Sequence, residues 1–199
     1  MNAVPVLKGK HVVLRPLRPM DKVDRFACGR NAEYVRMMGG DFRNMPPLTP
    51  EEVDAWYDRM ATEPCCWAIE NKGQCIGTAR LHNFFPADRR ARYAIGIFNA
   101  AAWGFGLGTE ATRLVVRYGF ETLGLHRIDL RVLAYNERAI ASYRKCGFVV
   151  EGQERESALV AGEWCDDVIM AVVARTERGK RWRTDVRLSD YFDRPKRWW

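Results

Sequence analysis

One short stretch restricts this chain more than any other: Trp103-Gly-Phe-Gly-Leu-Gly-Thr-Glu110, set between a β-like run and an amphipathic helical run. Glycine at every second position leaves backbone N–H groups without side-chain cover. The helix that follows adds first-turn N–H groups with no intrahelical acceptor and the positive end of its dipole. A fold that contains this segment must bring a strand end, a tight loop and a helix start to one point, which suits a phosphate or pyrophosphate. The other reading of the same glycines is a turn that merely lets the helix pack closely on the strand.

Two familiar phosphate loops are excluded. No Lys follows Gly108, so the segment is not a P-loop. The spacing Gly104-x-Gly106-x-Gly108 is not the Gly-x-Gly-x-x-Gly of dinucleotide folds. Asp129, the acid nearest to where a ribose ligand would stand, lies inside a strand-like run.

The 199 residues suit one domain with a sizeable core, and 47% hydrophobic with 29% charged residues is ordinary for a water-soluble globular chain. No run approaches the ~18 apolar residues of a membrane span, and the first ten residues have no apolar signal region. The six cysteines form no C-x-x-C pair, so neither a zinc site nor a disulfide framework is expected, and the cytoplasm is the default compartment. His11, His82 and His126 are scattered, and no metal site is expected. Of the net charge of +7, the last 25 residues carry most, with nine Lys/Arg against four Asp/Glu. They also hold Trp182, Trp198 and Trp199. Basic plus aromatic is compatible with nucleic-acid contact, but the cations are dispersed rather than in a block, which argues for an extension packed on its own domain or on a partner subunit. The chain therefore divides into a domain over 1–174 and a basic, aromatic extension over 175–199.

Periodicity gives the order of elements. His11–Arg15 reads as a strand; Asp21 caps a helix; 31–50 is irregular, broken by Gly39-Gly40 and Pro46-Pro47; Thr49-Pro-Glu-Glu52 opens a second helix. Trp67–Glu70 and Cys75–Leu81 form a hairpin about Asn71–Gln74, and Ala91–Phe98 is a third strand. After the glycine loop come a helix (Glu110–Leu123), a strand (Arg127–Leu133), a helix (Asn136–Cys146, stopped by Gly147) and the strands Phe148–Glu151 and Asp167–Val173. This is an α/β protein with a mixed sheet.

Four segments in this order resemble the GNAT acetyltransferase family, in particular the branch that includes ribosomal-protein N-terminal acetyltransferases. Trp103-x-x-Gly106-x-Gly108 resembles its pyrophosphate loop, Leu125–Val132 the next strand, Asn136-Glu-Arg-Ala139 the opening of the next helix, and Tyr143-Arg-Lys-Cys-Gly-Phe148 its Tyr-x-x-x-Gly-Phe. Roughly residues 10 to 174 fit. The resemblance implies a mostly antiparallel, twisted sheet flanked by helices, acetyl-coenzyme A as donor, and direct transfer in a ternary complex. The acceptor it implies is a primary amine: a protein N-terminus or a small amine such as a polyamine or an aminoglycoside-type antibiotic. A non-catalytic acyl-coenzyme A sensor, or an RNA-contacting module using the basic tail, is the alternative. Nothing implies a membrane partner, and a homodimer is compatible.

The resemblance also implies residue roles. The amides of Phe105, Gly106, Gly108 and Thr109 hold the pyrophosphate. Trp103 stands where most of the superfamily has Arg or Gln, so backbone amides supply most of the grip. Ile95, Ile97 and Phe98 lie along the pantetheine arm, with the Ile97 amide as donor to the thioester carbonyl. Asn136 caps its helix or binds a pantetheine amide. Tyr143 matches the general acid that protonates the departing thiolate. The Glu that many relatives place near Arg92-Tyr-Ala-Ile95 is missing. Glu151 is the first replacement as general base, unless it is only a solvated strand-end carboxylate; a base acting through water, or an acceptor with a low pKa, needs no dedicated carboxylate. Cys146, with no His close in sequence, is read as core rather than nucleophile.

Overall fold

A computed structural model describes residues 4–174; the expected extension over 175–199 lies outside the described residues. Eight strands form one sheet: β1 (Leu7–Lys8), β2 (Val13–Arg15), β3 (Cys66–Asn71), β4 (Gln74–Phe85), β5 (Arg90–Ile97), β6 (Arg127–Leu133), β7 (Val149–Val160) and β8 (Glu163–Val173). Their order across the sheet is β1-β2-β3-β4-β5-β6-β8-β7, and every neighbouring pair is antiparallel except β5 with β6. The helices are α1 (Asp21–Ala27), α2 (Ala32–Met37), α3 (Pro50–Thr62), α4 (Leu107–Glu121) and α5 (Glu137–Lys145).

The two faces of the sheet follow from strand alternation. Leu81 and Tyr93 stand opposite each other on β4 and β5 and join Ala111 and Val115 of α4 in the main core. At Gly119 a Cβ would lie 2.8 Å from Ile128 Cδ1, so α4 sits on β6 at a distance only glycine permits. Ala68, Cys75 and Phe98 face the other way and pack with Leu17, Cys28, Tyr34 and Trp56 around α1–α3.

Two local readings are corrected. Asp21 is not a helix cap: it is the first residue of α1, 1% exposed, and its carboxylate accepts from both Nη atoms of Arg15 (2.9 and 2.7 Å) and from the Arg18 N–H (2.8 Å). A buried guanidinium outcompetes the helix end for the carboxylate. The segment 31–50 is not wholly irregular, because Asn31 Oδ1 accepts from the Tyr34 N–H and starts α2. A helix this short shows no apolar period, and Asn31 was its one sequence signal.

Thr49 does open α3. Its hydroxyl accepts from the Glu52 N–H, and Glu52 reaches back to the Thr49 N–H at 2.9 Å. Thr49→Ala is expected to lower unfolding free energy by about 1 kcal/mol, read as a shifted urea midpoint with an unchanged slope. No helix among the described residues is long and apolar enough to cross a membrane.

Candidate active site

The cleft originates in a gap in the sheet. β5 stays paired with β4 as far as Ile97, but it follows β6 only where Arg90, Ala91 and Arg92 stand opposite Arg127, Ile128 and Asp129. Beyond Arg92 the two strands part, and a cleft of about 680 Å³ opens between Tyr93–Ile97 on one side and Arg131–Leu133 on the other. The backbone groups that face it can be assigned. A Cβ on Gly77 of β4 would collide with the Gly96 carbonyl oxygen, so the Gly96 backbone faces β4. By alternation the N–H and C=O groups of Ile95 and Ile97 face the cleft. There the Ile97 carbonyl accepts from Trp103 Nε1 at 2.9 Å.

The glycine loop closes one end of this cleft. Asn99 caps a 3-10 turn over Ala100–Ala102; Gly104 and Gly106 adopt left-handed φ of +84° and +76°, and α4 begins at Leu107. The helix therefore starts three residues earlier than its apolar stripe predicts, because Gly106 terminates the loop and Gly108 and Thr109 already lie in the first turn. Gly106 caps with no side chain, and a Cβ at Gly104 or Gly106 would meet nothing within 4 Å. The first-turn N–H groups thus stand open at the helix's positive end. Glu110, the one acid of that turn, is turned aside to accept from the His11 N–H at 2.9 Å. This cradle fits a pyrophosphate.

Side chains of α5 form the facing wall. Tyr143 is 8% exposed, lines the cleft, and packs its ring on Tyr93 and Phe148. Burial pushes its phenol well above the ordinary range, with the nearby Cys146 thiol adding to the shift. Asn136 also lines the cleft, but its oxygen is committed as the α5 cap, accepting from the Ala139 N–H at 3.1 Å. Its amide nitrogen donates to the Met37 carbonyl at 3.5 Å, which leaves one N–H to meet a ligand. Burial raises the Cys146 thiol, and its Sγ donates to the Thr109 carbonyl, in keeping with a packed rather than a nucleophilic residue.

Ile95, Ile97, Trp103, Gly106, Gly108, Thr109, Asn136 and Tyr143 all line the cleft; three predicted residues do not. Phe98 is buried in the core on the α1–α3 side, edge-on to Trp56 at 5.6 Å. The Phe105 side chain is 74% exposed, leaving only its amide for the loop. Glu151 lies on β7 outside the cleft, bonded through both oxygens to Arg127, which holds its carboxyl below the usual range. The outward register of β7 decides this, and the Gly147-Phe148 turn gave no sign of it.

Sequence reasoning missed several lining residues. The Arg138 guanidinium lies 4.3 Å over the Trp103 ring, a cation beside the glycine loop, and Lys145 stands further along α5. Both sit on the helix opened by Asn136, at a spacing that could have been checked against the loop. Tyr34, Met37, Met38 and Gly39 enter from α2 and its exit, and Arg131 and Asp167 from β6 and β8. No group of three His, Cys, Asp or Glu among the described residues is arranged to hold a metal.

Residues 11–149 match the family model described as "Acetyltransferase (GNAT) domain". Over 164 residues the chain is 34% identical to the spermidine N(1)-acetyltransferase of Escherichia coli (strain K12), covering 78% of this chain and 84% of that protein. It is 31% identical over 100 residues to the ribosomal protein uS5-alanine N-acetyltransferase of the same strain, covering 50% of this chain and 51% of that protein. The crystal structure of spermidine N-acetyltransferase from Vibrio cholerae in complex with CoA and spermine shares the fold, with a TM-score of 0.69 at 23% identity over 83% of this chain and 96% of that one.

Proposed function

The chain belongs to the GNAT acetyltransferase family, and from that premise we propose that its cleft transfers the acetyl group of acetyl-coenzyme A directly to a primary amine. The observation that carries this reading is the split between β5 and β6, lined by strand backbone on one side and ended by the open first turn of α4. Acetyl-coenzyme A, when bound, supplies an activated acyl carbon and a thiol leaving group.

The chain's own residues divide the remaining work. N–H groups of Gly106, Leu107, Gly108 and Thr109 hold the pyrophosphate, and Arg138 and Lys145 add the positive charge that Trp103 cannot. The Ile95 and Ile97 backbones bond the pantetheine arm as a neighbouring strand would, and the Ile97 N–H points at the carbonyl oxygen as it gains negative charge. Asn136 donates from its amide nitrogen. Tyr143, held neutral by burial, gives its proton to the departing thiolate; a thiol near pKa 8.5 leaves readily, so the help needed is modest. Glu151, bonded to Arg127 outside the cleft, is not assigned the acceptor's proton: one proton leaves the ammonium for solvent before the neutral amine attacks, and the second, lost as the amide forms and the C–S bond breaks, replaces the one Tyr143 gives to the thiolate. The six cysteines are free thiols, which supports a reducing, cytoplasmic setting. The exposed outer strand β7 supports a homodimer.

Incubation with acetyl-coenzyme A and a panel of amines is expected to release free thiol in step with acetylated amine. Absence of saturable coenzyme A binding by calorimetry would overturn the reading. Arg138→Ala is expected to weaken coenzyme A binding roughly 3–10-fold with little change in kcat, because an exposed cation paired with a phosphate contributes about 1 kcal/mol; titration calorimetry reads it.

A further inference from the structure

The cleft passes through the sheet, so its two faces have different tasks. Tyr143 and the α4 cradle lie on the face covered by α4 and α5. The opposite face can be followed strand by strand in the register: Arg92 stands opposite Asp129, Leu133 opposite Asp167, and Glu154 opposite Asp167. Opposed side chains share a face, and alternate residues return to it. Ala94, Gly96, Arg131, Leu133, Glu154 and Asp167 therefore all stand on the α2 side, where the Tyr34 hydroxyl would lie 2.7 Å from a Cβ at Gly96. An acceptor reaching the donor's acyl carbon from this side passes these groups.

Asp167 is the one carboxylate, among the described residues, that lines the cleft. It is 8% exposed, and its Oδ2 accepts from Arg131 Nη2 at 2.9 Å; Oδ1 accepts from no described donor. Arg131 is also paired with Glu154, so the trio carries one net negative charge at the cleft wall. Of the other acids of this side, Asp129 is matched to Arg92, Glu151 to Arg127, Glu33 to Arg36 and Asp41 to Arg43. Beside Asp167 the wall is apolar, with Met37, Met38, Leu133 and Ala158. Further out the rim is made of the closed ion pairs Glu33–Arg36 and Asp41–Arg43; Arg36 also lies over the Tyr135 and Phe42 rings, and Arg43 approaches the β7–β8 turn at Gly162.

Building on the acetyl-transfer reading, we infer that Asp167 is the acceptor-selecting residue, its free Oδ1 receiving a single ammonium, and that the acceptor class is a primary amine with one positive charge on an apolar stem rather than a polycation. One unmatched carboxylate oxygen accommodates one ammonium. A second or third ammonium on the same chain would meet the closed pairs Glu33–Arg36 and Asp41–Arg43 instead of an open carboxylate, and would gain a partner only by displacing a guanidinium.

The test uses three acceptors: n-hexylamine, spermidine, and an alkyl hydrazide that is uncharged at neutral pH. Wild-type protein is expected to show kcat/KM for hexylamine about tenfold or more above that for spermidine. Asp167→Asn, which keeps the shape and the bond to Arg131, is expected to lower kcat/KM for hexylamine about tenfold through KM. It should leave the hydrazide within twofold and coenzyme A affinity by calorimetry unchanged. Preference for spermidine in the wild type overturns the inference without any variant being needed. A variant that loses hexylamine and hydrazide turnover equally also overturns it, because that is the behaviour of a structural residue; so does one that loses neither. A wild-type protein that binds coenzyme A yet acetylates no acceptor removes the transfer reading itself, and the assignment of Asp167 with it.

Discussion

Gly108→Trp is expected to abolish saturable coenzyme A binding, raising Kd by more than about 10²-fold, because the side chain would occupy the anion cradle. Two backbone donors to an anion are at stake, each contributing about 1.5–3 kcal/mol. The glycine has an ordinary helical backbone in the first turn of α4, and its Cβ would lie 3.3 Å from Ile97 Cδ1, on the cleft side of the helix. The variant should therefore keep its circular dichroism spectrum while losing its ligand. Gly106→Trp should lose binding as well, but with a further stability cost of about 1–2 kcal/mol from the left-handed φ of +76°. Calorimetry on the folded Gly108→Trp protein reads the difference, and an unchanged affinity would move the phosphate site elsewhere.

Tyr143→Phe is expected to cut turnover by about 10–10³-fold while donor affinity stays within a factor of two. One hydroxyl is removed, and the ring keeps its contacts with Tyr93 and Phe148. The range is broad because the worth of a general acid falls as the leaving group improves, and a thiolate is a good one. Burial raises the phenol's pKa, so the neutral, proton-bearing form persists throughout the neutral and mildly alkaline range. The wild-type pH–rate profile should accordingly show no alkaline fall from this group there. Single-turnover kinetics separate the chemical step from product release, and near-native turnover in Tyr143→Phe would end its assignment as the acid.

The parts of this protein that were readable in its sequence are those governed by local chemistry. The glycine triplet announced a strand-to-helix junction because no other residue type leaves those amides bare. Asn136 and Thr49 announced helix starts through their capping oxygens. The hairpin at Asn71–Gln74 followed from alternation around a turn. What stayed hidden depends on long-range placement. Asp21 reads locally as a cap, yet it belongs to Arg15 and lies buried. Phe98 continues a strand that looks ligand-lining, but at Ile97 the strand ends and the ring turns to the other core. Glu151 has the right chemistry in the wrong register, and Asp167 looks like any strand-start acid until β6 and β7 are set beside it. Periodicity shows which face a residue takes within its own strand; it does not show which strand comes to lie next to it.

The parting of β5 from β6 has a consequence for the lifetime of the protein as well as for its chemistry. Among the described residues, three register pairs are the only ladder between the half of the sheet carrying β1–β4 and the half carrying β8 and β7. A donor seated in the gap, as proposed, would take the place of the missing rungs and add to the free energy of unfolding by mass action, about 2.7 kcal/mol when its concentration is a hundred times Kd. Set against the roughly 5–15 kcal/mol that holds a domain together, that is a large share. Proteolytic clearance of the catalyst would then track the supply of its own fuel, and a cell short of activated acetate would shed this enzyme sooner than one rich in it.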